Sequence, residues 1–222
     1  MVAQGAVFCY NNRMELKKLH LCEGDLPADA TFPNGMAAVD TETMGLNIPR
    51  DRLCLVQVGD GAGNVWLVKF NGDDYHQATN LKAMLQNPKI LKMFHFGRFD
   101  IAVMQHYLGV QTAPVYCTKI ASKLTRTYSD RHGLKSIVQE LLGVELDKEQ
   151  QTSDWGAPEL SEAQKHYAAC DVLYLHGLKE VLDEKLKTTD RLHIAQQCFA
   201  FLPTRAALDL AGWSTTDIFA HQ

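Results

Sequence analysis

The chain has 222 residues, 46% of them hydrophobic, which is enough to build a sizeable core in one large domain or two small ones. A formal net charge of −4, from 22 basic and 26 acidic residues, argues against a protein that coats long nucleic acid through many phosphate contacts. No apolar run approaches the roughly 18 residues needed to span a bilayer, and no export-signal pattern opens the sequence, so a cytoplasmic protein is expected. The six cysteines (Cys9, Cys22, Cys54, Cys117, Cys170, Cys198) are scattered and form no C-x-x-C pair. Buried free thiols in a reducing compartment are therefore expected, rather than a zinc site or a disulfide framework.

Residues 1–13 (MVAQGAVFCYNNR) show no clear periodicity and read as an N-terminal extension, with the domain running from 14 to 222. Lys17–Cys22 is strand-like and leads into a polar, proline-containing connection. Three short apolar runs, Met36–Asp40, Leu53–Val58 and Asn64–Val68, are separated by Gly, Asp and Pro and predict hairpin-linked strands. Helical spacing follows over Tyr75–Gln86, then a buried strand over Ile90–Phe94 and a helix from Arg98 to Leu108, stopped by Gly109. From Val115 onward the pattern is largely helical: Lys119–Leu124, Leu134–Leu142, Glu162–Leu186, Arg191–Phe201 and Thr204–Ala211. This order predicts an α/β fold, a mixed β-sheet flanked by α-helices in a single domain.

Three short motifs carry possible chemistry. In Ala38-Val39-Asp40-Thr41-Glu42-Thr43 an apolar strand delivers Asp40, and side-chain alternation puts Glu42 on the same face. Such a pair repels unless a cation lies between the carboxylates, and hard oxygen ligands suit magnesium or manganese. In His95-Phe96-Gly97-Arg98-Phe99-Asp100 the acid falls in the first turn of a helix, where the helix dipole alone would favour it. In His166-Tyr167-Ala168-Ala169-Cys170-Asp171, on a helix opened by the capping-box pattern Ser161-Glu162-Ala163-Gln164, Tyr167 and Asp171 are four residues apart. That puts them on one face, about 40° apart around the axis. Each motif alone has a bland alternative: a solvated turn, a dipole-favoured acid or a surface hydrogen bond.

Together the three motifs resemble the DEDD exonuclease superfamily. Resemblance to its ribonuclease D branch runs from about Met36 to Leu178 and includes Leu146-Asp147-Lys148-Glu149-Gln150-Gln151-Thr152-Ser153-Asp154-Trp155. One departure follows the tryptophan: where that branch often has Arg-Pro-Leu, this chain has Ala157-Pro158-Glu159-Leu160. The stretches HFGRFDIAV, VYCTKIASKLTRTYSDRHGLK and CFAFLPTRAALDLAGW resemble the short nanoRNase C type of bacterial enzyme, which has the nuclease domain alone.

The resemblance implies a ribonuclease H-like (DnaQ-like exonuclease) fold and 3′→5′ hydrolysis of RNA to nucleoside 5′-monophosphates. Asp40, Glu42, Asp100 and Asp171 would hold two divalent ions, Mg²⁺ or Mn²⁺, whose charge the four carboxylates balance. Tyr167 would orient the attacking water. His166 stands at the spacing used by a histidine-dependent branch, but it lies on a different helix face from Asp171.

Leu46 matches the position of a leucine that wedges between two bases in oligoribonuclease-like enzymes, and equally suits a partly buried loop residue. Lys119, Arg126, Arg131 and His132 form a basic stretch able to hold a 5′ phosphate, or else a solvated loop or subunit contact. Thr41 and His95 complete the expected substrate-binding set. The expected partners are short RNA or dinucleotides and, by resemblance, further copies of the chain in a dimer or larger ring. The rival activities are ribonuclease D-like trimming of RNA 3′ ends and DNA exonuclease action. A non-catalytic binding module of this kind would be expected to lack a carboxylate, and here all four are present.

Overall fold

The computed structural model describes residues 15–146 and 152–221. The expected extension at 1–13 and the segment 147–151 of the family-like stretch lie outside them. Six strands form one mixed sheet: β1 (Lys18–Glu23), β2 (Met36–Thr43), β3 (Leu53–Gly59), β4 (Asn64–Lys69), β5 (Leu91–Phe94) and β6 (Val115–Cys117). Their spatial order is β1-β4-β3-β2-β5-β6. The hairpin pairs β2–β3 and β3–β4 are antiparallel, whereas β1, β5 and β6 join their neighbours in parallel. Every residue of β3 is buried, as expected of a strand covered on both faces.

Seven α-helices surround the sheet: α1 (Thr79–Gln86), α2 (Arg98–Leu108), α3 (Thr118–Thr125), α4 (Leu134–Leu142), α5 (Glu162–Leu173), α6 (Leu175–Thr188) and α7 (Leu192–Leu208). Helix α5 lies across β2, β3 and β4. Val172 is its contact at the point where Gly59 and Ala38 pair, and a Cβ built on Gly59 would lie 3.4 Å from the Val172 side chain. None of these helices is long and apolar enough to cross a membrane.

Four expectations about elements need correction. The helix over 75–86 is two pieces, a 3₁₀ turn at Tyr75–Gln77 and then α1. Tyr75 is anchored separately, its hydroxyl donating to Leu53 O at 2.9 Å, and the Asp25 carboxylate caps α1 by accepting from Asn80 N and Leu81 N. Val115–Cys117 is an edge strand, too short to show a period of two. The helix over 162–186 breaks at Tyr174, where α6 turns to pack its Leu175, Leu178, Leu182 and Leu186 stripe. Helix α7 runs through Pro203, which was expected to divide it. Its buried residues Phe199, Leu202 and Ala206 lie on both sides of the proline, and their packing offsets a backbone defect of about 3 kcal/mol.

The turn from β5 into α2 has no room for a side chain at Gly97: a Cβ there would lie 2.6 Å from Phe94 Cβ. Gly97→Ala is therefore expected to destabilise the protein by about 1–3 kcal/mol, the usual range for overpacking, as read from denaturant unfolding. Wild-type stability in that variant would show that the turn yields.

Candidate functional site

The C-terminal end of β2 opens into a cleft of about 800 Å³, and the carboxylates reach it from three elements. Asp40 and Glu42 project from one face of β2. Thr41 points to the other face, where its hydroxyl donates to Asp100 Oδ1 at 2.7 Å. Asp100 stands in the first turn of α2 and is 4% exposed. Asp171 comes from α5, whose start is fixed by the Ser161–Gln164 capping box with bonds of 3.2 and 3.0 Å. Gln164 also donates to Asp154 O at 3.1 Å, which ties the loop carrying Trp155 to the helix carrying Tyr167. Those two rings lie 6.1 Å apart between centroids.

Carboxylate oxygens of Asp40, Glu42 and Asp171 all lie within 4.8 Å of one another. Asp100 stands behind them on its threonine. Burial is the largest cause of the high pKa of all four. Asp40 is raised well above the carboxylate range by burial and then by Asp100, Asp171 and Glu42. Glu42 is pushed up to about 9 by burial, Asp171 and Asp100. Asp100 and Asp171 rise to about 7, with hydrogen bonds from Thr41 and Tyr167 respectively opposing the rise. A set of oxygen ligands that repel and are desolvated in this way fits a hard divalent cation, which would restore the ionised form of each.

Tyr167 faces the same cluster, with its hydroxyl close enough to Asp171 to oppose the rise of that acid's pKa. Burial and the nearby carboxylates hold its pKa far above that of a free phenol, so it is a donor at neutral pH and not a base. His166 is exposed, its Nε2 meeting only the Cys170 thiol at 3.7 Å.

The cleft is also lined by Thr41, Leu46, His95 and Lys119 from the expected substrate-binding set. Leu46 is 85% exposed, which removes the reading of a partly buried loop residue. It is displayed by a loop built around Asp51, whose carboxylate accepts from Asn47 N at 2.9 Å and pairs with Arg50 at 2.6 Å. His95 Nδ1 meets Thr118 Oγ1 at 2.9 Å, and that hydroxyl donates to Phe94 O at 3.1 Å. His95 Nε2 is buried and has no hydrogen-bond partner among the described residues. Lys119 Nζ sits 4.1 Å above the ring of Phe96, a residue held at φ +71, where a side chain is strained.

Arg126 is a correction. It is 0% exposed, and its guanidinium is consumed by Glu140, Ser122 Oγ at 3.0 Å and Arg131 O at 2.7 Å. It anchors the loop to α4 and offers nothing to a phosphate. Arg131 is exposed and does not line the cleft, and His132 Nδ1 is tied to Ser122 Oγ at 2.9 Å. The cleft's second cation is instead Lys135, which lies at the start of α4, where sequence pattern alone suggests a solvated helical face. Phe96, Phe99 and Trp155 contribute aromatic rings to the apolar lining; all three lie inside the quoted motifs, but nothing in their spacing marks them as wall residues.

The mixed sheet flanked by helices is the exonuclease-domain fold, and the chain belongs to the 3′–5′ exonuclease family, which it matches over residues 28–187. Within that family it is similar to ribonuclease D of Acidiphilium cryptum, at 36% identity over 154 residues, or 69% of this chain and 38% of the relative. The chain spans about two fifths of the length of the first curated ribonucleases D it matches. Solved structures give fuller coverage. Brucella melitensis NrnC bound to pGG has 51% identity and a TM-score of 0.88, covering 92% of this chain and 98% of that one. The same protein with bound Mg²⁺ has 51% identity and a TM-score of 0.87, covering 92% and 99%.

The raised carboxylates predict a pH response in the ion-free protein. A group whose folded pKa exceeds its unfolded value binds more protons folded, so stability is full at low pH and falls as pH rises toward the folded pKa. Buried His95 opposes this trend only below its ordinary 6.5, and Lys92, pushed down to about 8 by desolvation, only above 8. In EDTA the thermal midpoint should therefore fall from pH 6.5 to pH 8, as Glu42, Asp100 and Asp171 are driven to ionise. Saturating Mg²⁺ should flatten the fall. A level midpoint in EDTA across that interval would contradict the pKa directions.

Proposed function

We propose that this chain is a metal-dependent 3′→5′ exoribonuclease that degrades very short RNA, from dinucleotides to short oligoribonucleotides, into nucleoside 5′-monophosphates. The observation that carries the reading is the Asp40–Glu42–Asp171 cluster, with its oxygens within 4.8 Å, at the floor of a cleft rimmed by an exposed leucine and aromatic rings. Likeness to NrnC bound to pGG, over nearly the whole of both chains, supports a substrate of that size.

In this reading Asp40, Glu42, Asp100 and Asp171 hold two divalent ions, Mg²⁺ or Mn²⁺. When bound, such a pair activates water toward an anionic phosphodiester and stabilises the leaving 3′-oxygen. Water adds across the P–O3′ bond, leaving a 5′-phosphate on the released nucleotide and a 3′-hydroxyl on the shortened strand. Tyr167, protonated and standing beside Asp171 in the cleft, orients the attacking water. Leu46 and Phe96 pack against bases, and Lys119 and Lys135 face phosphate oxygens. The reading includes a cytoplasmic, homo-oligomeric enzyme, a dimer or larger ring, on the strength of the family resemblance. Sedimentation of the purified chain as a monomer would remove that part alone.

Trimming of longer RNA 3′ ends is the second reading, favoured by the similarity to ribonucleases D. Turnover of 5′-labelled RNAs from pNpN to a twenty-mer, with Mg²⁺, Mn²⁺ and EDTA arms, separates the two. The dinucleotide should be cleaved at least tenfold faster than the twenty-mer, and equal turnover would sink the short-substrate proposal. Tyr167→Phe should lower kcat by about 10²-fold, the scale of a lost positioning contact. His166→Ala should leave kcat unchanged, and the opposite pattern would exchange their roles.

A further inference from the structure

Gln57 is a buried amide with no visible purpose. It lies in the middle of β3, it is 0% exposed, and neither Nε2 nor Oε1 has a hydrogen-bond partner among the described residues. Every other residue of that strand is apolar or glycine, so an apolar side chain would suit the packing. Burying a primary amide without partners is costly, and native proteins retain such a group when it serves something else.

The sheet register shows what it faces. Gln57 is the Cα partner of Asp40 in the antiparallel β2–β3 pair. Directly opposed residues put their side chains on the same face, with Cβ atoms about 5 Å apart. Helix α5, which carries Tyr167 and Asp171, closes over that face: a Cβ built on Gly59, the partner of Ala38, would lie 3.4 Å from its Val172 side chain. Gln57 is thus enclosed beside the carboxylate at the centre of the cluster, and Asp40 is the acid nearest to it in the register.

We infer that Gln57 is a positioning residue for Asp40, its Nε2 donating to the Asp40 carboxylate when bound cations keep that group ionised. Cations engage the outward oxygens, and the amide satisfies the inward side and fixes the rotamer. Supporting groups of this kind typically change metal affinity by 10–100-fold when removed. The inference rests on the metal-dependent reading above.

The test is Mg²⁺ and Mn²⁺ affinity of EDTA-stripped protein by titration calorimetry, alongside the ion-free thermal midpoint. Gln57→Met is nearly isosteric and removes the unpartnered amide. Gln57→Asn keeps the amide but shortens its reach by a methylene, and serves if the methionine variant does not fold. Gln57→Met should keep or raise the ion-free midpoint, Gln57→Asn should lower it because the lost methylene leaves a cavity, and both should weaken ion binding at least tenfold. A folded variant that binds ions as wild type does overturns the inference, as does a lowered midpoint with unchanged affinity, the mark of a merely structural amide. If the wild type itself binds neither ion, the metal-dependent reading fails with it, so the two failures are distinguishable.

Discussion

Three carboxylates whose oxygens approach within 4.8 Å repel by about 3 kcal/mol per pair at an effective dielectric near 20, before the cost of desolvation is added. A fold can keep such a cluster only where the backbone under each acid is over-determined. The described structure meets that demand three times. Asp40 and Glu42 ride on a strand paired on both sides, Asp171 on a helix started by a reciprocal cap, and Asp100 on a helix turn locked by Gly97 and Thr41. Relaxation that would spread the charges would have to break the sheet, the cap or the turn. The remaining outlet is protonation: burial raises all four pKa values, and neighbouring acids add to the rise at Asp40, Glu42 and Asp171.

The rim is built on a different principle. Around the acids the protein needs fixed backbone, whereas at the cleft's mouth it needs exposed side chains held ready. The loop after β2 displays Leu46 by wrapping the backbone around the Asp51 carboxylate, which its ion pair with Arg50 holds down to about 2. Phe96 is displayed by a left-handed backbone at the end of β5 and is covered by Lys119. Both residues expose apolar surface at a cost, and in both cases a charged neighbour stabilises the loop that does so. The knot of Arg126, Glu140 and Tyr128 serves the same end on the far side, fixing the segment that leads to Gly133 and Lys135.

Much of this was legible in the sequence because its signals are local. Strand alternation places Asp40 with Glu42, the Ser161–Gln164 pattern starts α5, and four-residue spacing joins Tyr167 to Asp171. What escaped depends on distant partners. Arg126 has the composition of a phosphate ligand, and only the fold reveals Glu140 waiting across fourteen positions. Lys135 looks like a solvated helix residue until α4 is seen to start at the cleft. Pro203 signals a helix end, yet the buried face of α7 carries the helix through it. Gln57 sits inside an apolar run, and only the strand register shows that it stands opposite Asp40.

The shape of the cleft bears on substrate length through the source of binding energy. Affinity for long nucleic acid grows with the number of phosphates neutralised. Two of the cleft's described lining residues are lysines, and the chain as a whole is acidic, so the cleft itself neutralises few phosphates. Stacking of bases on apolar and aromatic side chains contributes about 1–3 kcal/mol per base and saturates once the surfaces are covered. A rim of Leu46, Phe96 and Phe99 therefore strengthens binding of the first one or two bases and adds nothing for the tenth. A site of this composition gains little by holding a long strand, and that is the physical ground of the short-substrate proposal.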